Sequence, residues 1–103
     1  MGLTNGGELD DVNNDGYVSG SVAVTSVAVE AKVGASRLYG REIITLTNKG
    51  PKTVYYGPSG VTSTTGDTLL KGQFVSLPFG DNVPVYIICA AAETATVIVQ
   101  ESA

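Results

Sequence analysis

From Ser19 onward apolar and polar residues alternate along the chain, the spacing of a strand that buries one face. Val22 and Val24 hold one parity, whereas Val27, Val29, Ala31 and Val33 hold the other and leave Ala28, Glu30 and Lys32 facing outward. The parity flips at Thr25-Ser26. A one-residue slip sends every side chain to the opposite face, so the flip predicts a β-bulge or a break into two strands at that point. Gly34 to Gly40 form a connection in which Leu38 and Tyr39 are placed to cap the edge of the core.

The rest of the chain reads as a meander. Residues 42–47 predict a strand, Asn48-Lys49-Gly50-Pro51 a turn whose glycine permits positive φ, and residues 52–56 the returning strand. Gly57-Pro58-Ser59-Gly60 fits a type I turn with proline second and glycine fourth. Residues 61–67 predict a loop, with Val61, Leu69 and Leu70 tucked beneath it. Phe74, Val75 and Leu77 form a short strand. Residues 83–90 are apolar on both parities, which marks the central strand, and residues 95–101 alternate to the end of the set. The expected core is Val27, Val29, Ile44, Leu46, Val54, Val85, Ile87, Val97 and Val99.

Six or seven short antiparallel strands punctuated by Gly and Pro predict an all-β chain, a single β-sandwich or barrel-like domain over residues 21–103. Residues 1–20 are Gly, Asn, Asp and Ser with scattered Leu3, Leu9 and Val12, and predict an extended N-terminal arm. At 103 residues the chain has room for one such domain.

Charge sharpens this division. Glu8, Asp10, Asp11 and Asp15 carry the whole formal charge of −4, because residues 21–103 hold six acids and six bases. A neutral body with an acidic end offers no footprint for a phosphate backbone, so nucleic acid is not an expected partner. No run approaches the ~18 apolar residues of a membrane helix and no export signal is visible, which predicts a soluble chain without a membrane partner.

Candidate chemistry is sparse. With no histidine in the sequence, the chain itself assembles no Ser-His-Asp triad, Cys-His pair or imidazole-ligated zinc. Asp11-Val12-Asn13-Asn14-Asp15-Gly16-Tyr17 matches the first half of a calcium loop, but Val22 stands where the closing glutamate belongs, so a solvated Asn/Asp-Gly turn is the expectation. Asp67 and Asp81 read as turn residues, and the single cysteine, Cys89, as a small hydrophobe on the Val85/Ile87 parity. Gly57-Pro58-Ser59-Gly60 lacks the ending of a phosphate loop. No catalytic residue, metal or cofactor is expected. Tyr55, Tyr56 and Tyr86, with Tyr39 and Phe79, suit half-buried strand positions and alternatively a sugar-stacking platform. Adjacent Tyr55 and Tyr56 face opposite ways, so only one of them can join such a platform.

Leu38-Tyr39-Gly40-Arg41, Ile43-Ile44-Thr45-Leu46-Thr47-Asn48-Lys49-Gly50, Val54-Tyr55-Tyr56-Gly57, Ser59-Gly60-Val61-Thr62, Gly66, Leu69, Gly72 and Val85-Tyr86-Ile87 form a recurring pattern. An arginine precedes an apolar strand ending in Asn-x-Gly, then come a Val-Tyr-x-Gly strand, a Val-Thr loop and Leu-x-x-Gly. In this pattern, over residues 27–101, the chain resembles small virion structural proteins of tailed bacteriophages. The resemblance implies a β-sandwich without enzymatic activity that decorates a capsid or sits in a tail or fibre.

Two kinds of function follow as expectations. The first is a capsid decoration or cement protein, located in the virion after synthesis in the host cytoplasm. It would bind the major capsid protein or other virion proteins as a homo-oligomer, with Glu8, Asp10, Asp11, Asp15, Tyr55 and Tyr86 as partner-binding residues. The alternative is a carbohydrate- or receptor-binding module of a tail or fibre, or a neck or tail adaptor.

Overall fold

The computed structural model describes residues 16–103. They fold into two four-stranded antiparallel sheets built from eight strands: β1 (Tyr17–Val24), β2 (Val29–Glu30), β3 (Ile43–Pro51), β4 (Val54–Gly57), β5 (Asp67–Leu69), β6 (Phe74–Leu77), β7 (Tyr86–Ile88) and β8 (Ala95–Ser102). One sheet has the order β1-β8-β3-β6 and the other β2-β7-β4-β5. This is the jelly-roll order, in which the pairs β1·β8, β2·β7, β3·β6 and β4·β5 wrap together as one long folded ribbon. The meander expected from sequence is therefore replaced. Of the consecutive connections only β4–β5 stays within one sheet, because alternation specifies the buried face of a strand and leaves its neighbour open.

The parity flip at Thr25-Ser26 is the break between β1 and β2, where the chain crosses from one sheet to the other. The crossover corrects one core residue: Val27 lies in it and is 73% exposed. The remaining expected core holds, with Ile44, Leu46, Val97 and Val99 of one sheet and Val54 and Ile87 of the other in one cluster, Val85 buried just before β7, and Val29 packed alongside. β7 lies between β2 and β4, a central position as its two-sided apolar content predicts, although the regular strand is only Tyr86–Ile88.

Other boundaries move for identifiable reasons. β1 starts at Tyr17, so residues 17–20, assigned to the arm, pair with the end of β8. Asn48 to Pro51 continue β3 rather than turning, and the register shifts between Asn48 and Gly50, with Gly50 at φ 90°. The turn after β4 is closed by the Val61 N–H donating to the Pro58 carbonyl at 3.0 Å, one residue later than expected. That puts Gly60 third in the turn with φ 88°, the type II position that asks for glycine. Asp67 begins β5 inside the segment expected to be loop, where three residues are too few for alternation to register. Val61 and Leu69 are buried, but Leu70 is half exposed. Tyr39 projects from its connection at 93% exposure instead of capping the core.

Candidate functional site

The outer face of the second sheet collects two of the sequence-predicted partner residues. Tyr55 of β4 lies opposite Ile88 of β7, and Tyr86 of β7 lies between Gly57 of β4 and Glu30 of β2. Tyr55 and Tyr86 are thus diagonal neighbours across adjacent strands, about 7–8 Å apart at the backbone, within reach of aromatic side chains. Both are half-buried. Tyr56 points the other way and packs against the core, as the alternation of adjacent residues requires. Glu8, Asp10, Asp11 and Asp15, and with them the calcium-like segment up to Asp15, lie outside the described residues.

Beside Tyr86 the two loops at one end of the sandwich enclose an open hollow of about 520 Å³. Glu30, Lys32, Arg37, Tyr39 and Asp81 line it. Arg37 Nε donates to Glu30 Oε2, and Arg37 NH1 donates to the Asp81 carbonyl at 3.1 Å. The hydrogen bond to Glu30, reinforced by that carboxylate's charge, raises the Arg37 pKa, so the guanidinium is a permanent cation. Asp81 Oδ2 accepts the Gly40 N–H at 2.7 Å, a tether between two loops 41 residues apart in sequence rather than the bond within its own turn that was expected of it. The hollow therefore presents carboxylate acceptors, cationic donors and an unstacked tyrosine ring, a set that suits a polar ligand with an apolar face.

The loops are held by a pair that sequence reasoning missed. Arg41 and Glu101 are buried and joined by Arg41 NH1 to Glu101 Oε2 at 2.7 Å. Arg41 donates further to the carbonyls of Phe79, Gly80 and Val83, while Glu101 accepts the N–H groups of Val33 and Leu38. Both charges are thus compensated, the condition under which a buried ion pair is tolerated. The available signal was parity: Glu101 falls in phase with Ala95, Val97 and Val99, on the inward side of β8. No family model and no curated protein matches this chain.

Two more regions hold residues expected to matter. A cleft of about 290 Å³ opens between the sheets at the β5/β6 side, lined by Tyr56, Leu77, Phe79, Val83 and Pro84 with Asp67 beside them. Burial, and secondarily the Asp67 carboxylate, raise the Tyr56 pKa, so its hydroxyl stays protonated. The five aromatic residues considered for a platform are therefore distributed over three places: Tyr55 with Tyr86, Tyr39 at the hollow, Tyr56 with Phe79 at the cleft. Cys89 is buried within the core cluster, and that burial, with a smaller effect of Glu93, raises its thiol pKa away from the reactive thiolate. Among the described residues no three Cys, Asp or Glu side chains converge on a metal-sized site.

Proposed function

We propose that this chain is a non-enzymatic structural protein of a tailed-bacteriophage particle, a decoration protein that binds the major capsid protein of the shell as a homo-oligomer. The observation that carries the reading is the jelly-roll strand order on a chain whose pattern resembles virion proteins. Jelly rolls recur in viral shells. The reading rests on this likeness of fold. It gains support from where the pattern's residues lie: Arg41 is spent on loop anchoring, Asn48 is buried among backbone groups, and Gly50, Gly60 and Gly72 take positive φ. They build a scaffold that offers surfaces. Quantified protein content of purified particles tests the reading. A copy number approaching that of the capsid protein is expected; absence from particles would overturn it, and a scarce copy number would move the chain to the neck, tail or fibre.

A second reading is favoured by the hollow beside Tyr86. Jelly rolls also serve as lectin domains, and an exposed Tyr39 ring beside Glu30, Arg37 and Asp81 offers stacking and polar contacts together. Binding of the purified chain to a panel of bacterial surface glycans, weakened by Tyr39→Ala or Tyr86→Ala without loss of thermal stability, would replace the first reading with a sugar-binding module.

A further inference from the structure

The four sheet edges of the described residues are unequal. β2, β5 and β6 are two, three and four residues long, whereas β1 runs for eight, Tyr17–Val24. Short length, charge and proline are the usual means by which edges avoid pairing. β2 carries Glu30, β5 starts at Asp67 and β6 runs into Pro78, but Tyr-Val-Ser-Gly-Ser-Val-Ala-Val contains no charged residue and no proline.

The register says which backbone groups of β1 are free. Ala103 N donates to the Gly16 carbonyl at 2.8 Å, which makes that directly opposed couple a hydrogen-bonded one. Hydrogen-bonded and non-hydrogen-bonded couples alternate along an antiparallel ladder. The even residues, Val18 with Glu101, Gly20 with Val99 and Val22 with Val97, therefore bond to β8. The N–H and C=O groups of Tyr17, Ser19, Ser21 and Ala23 point away from it, and no described residue bonds to them. Their side chains stand on the solvent face, and the even valines Val18 and Val22 face the core yet stay half exposed at the edge.

We propose that the β1 edge pairs with the β1 edge of a second copy of this chain, antiparallel about a two-fold axis at Gly20, joining the two β1-containing sheets into one of eight strands. That register sets Tyr17 against Ala23 of the partner subunit and Ser19 against Ser21 of the partner subunit. All four free residues exchange bonds in both directions, for eight new hydrogen bonds. A second copy is the occupant because the edge is self-complementary under this rotation. Residues 16–103 hold six acids and six bases, so the two bodies themselves are neutral, and antiparallel pairing sets the two Tyr17 ends, to which the acidic residues 1–15 are joined, at opposite ends of the seam. The rotation also carries exposed Tyr17, at one end of β1, towards the opposite end of the partner strand, near which exposed Val27 leaves the sheet. An isologous contact of this kind closes on itself and limits growth to a dimer.

The inference rests on the homo-oligomer part of the reading above, and its test uses purified full-length chain with no particle present, so the two can fail separately. In sedimentation equilibrium over a concentration series the chain should move from 10.6 kDa to twice that mass. Amide exchange by NMR should show Val18, Gly20 and Val22 protected at every concentration. The Tyr17, Ser19, Ser21 and Ala23 amides should become protected only as the dimer forms. Ser19→Lys/Ser21→Lys sets like charges opposite each other across the axis and should give a monomer, as should Ser19→Glu/Ser21→Glu, while an equimolar mixture of the two should recover the doubled mass. Three results would overturn the proposal: a single-chain mass at all concentrations, odd-residue amides protected in a monomer, or a dimer that survives in the lysine variant. Melting curves verify that the variants fold, and the exchange pattern of the unaltered chain decides if they do not.

Discussion

Asn48 spends both amide hydrogens and its amide oxygen on backbone groups of the sandwich. Its Nδ2 donates to the carbonyls of Lys52 and Leu69, both at 2.9 Å, and its Oδ1 accepts the Gly50 N–H at 2.7 Å. Since Asn48 is on β3 and Leu69 on β5, one of these bonds crosses between the sheets. Asn48→Ala removes three partners at once, two of them in buried bonds, and at the low end of about 1–3 kcal/mol per buried group left unpaired the loss is about 2 kcal/mol. Urea unfolding measures it; a midpoint unchanged from the parent chain would mean that water replaces the amide. Glu101→Gln leaves the buried Arg41 cation without its counter-charge and should destabilise by about 3–5 kcal/mol, the cost of breaking a buried pair from one side. A loss under roughly 0.5 kcal/mol, the level of ordinary surface substitutions, would show the pair to be dispensable. The inward parity of β8 marked Glu101 for burial, but the long-range partners of Asn48 and Arg41 were not legible beforehand. Asn48 sits in Asn-x-Gly, which reads locally as a turn, and Arg41 stands before a strand next to Glu42, an acid with which it does not pair. Their long-range partners, Leu69 and Glu101, lie at separations of 21 and 60 residues, beyond any local pattern. Cys89, by contrast, was legible because its parity alone decided its burial.

Elements show the same division between face and neighbour. The alternation in β8 placed Val97 and Val99 inward, and the parity break at Thr25-Ser26 located a real discontinuity. What alternation cannot carry is the distance over which a parity persists. Val27 shares the parity of Val29 but precedes the strand, so its side chain leaves the sandwich while Val29 stays against the core. A paired measurement tests this distinction. Ile87, fully buried at the centre of β7, should lose about 2–5 kcal/mol on Ile87→Ala, the usual range for a buried large-to-small change. Val27→Ala should stay within about 0.5 kcal/mol of the parent, as a surface change does. Comparable losses at the two positions would mean that Val27 is covered in solution, for instance in the dimer inferred above, and repeating the measurement on the monomeric lysine variant would separate these cases. Short strands escape sequence reading for a related reason. β2 and β5 have two and three residues, and their place in the sheet comes from the ribbon wrapping around them rather than from their own pattern.

At the scale of the whole molecule the charge distribution is the feature with consequences for attachment. The chain carries −4, and all of it resides in Glu8, Asp10, Asp11 and Asp15, because residues 16–103 balance at six acids and six bases. If the chain decorates a particle, its long-range attraction to a basic shell surface must come from those four acids, while the body contributes contacts of short range. Charges separated by more than the Debye length, about 10 Å at 0.1 M salt, are largely screened, so this part of the attachment should weaken as salt is raised. Since β1 begins at Tyr17, deleting residues 2–15 removes all four acids and leaves every described strand whole. The truncated chain should therefore melt at the temperature of the full one, bind particles more weakly at low salt, and show a binding curve that no longer depends on salt. Equal binding by both chains across a salt series would locate attachment wholly on the β body, where the uncharged β1 edge and the outward Tyr55 and Tyr86 become the surfaces to vary next. A drop in melting temperature on truncation would carry a different message: residues 2–15 would then contribute to the fold itself, and the free edge of β1 is the first place where they could do so.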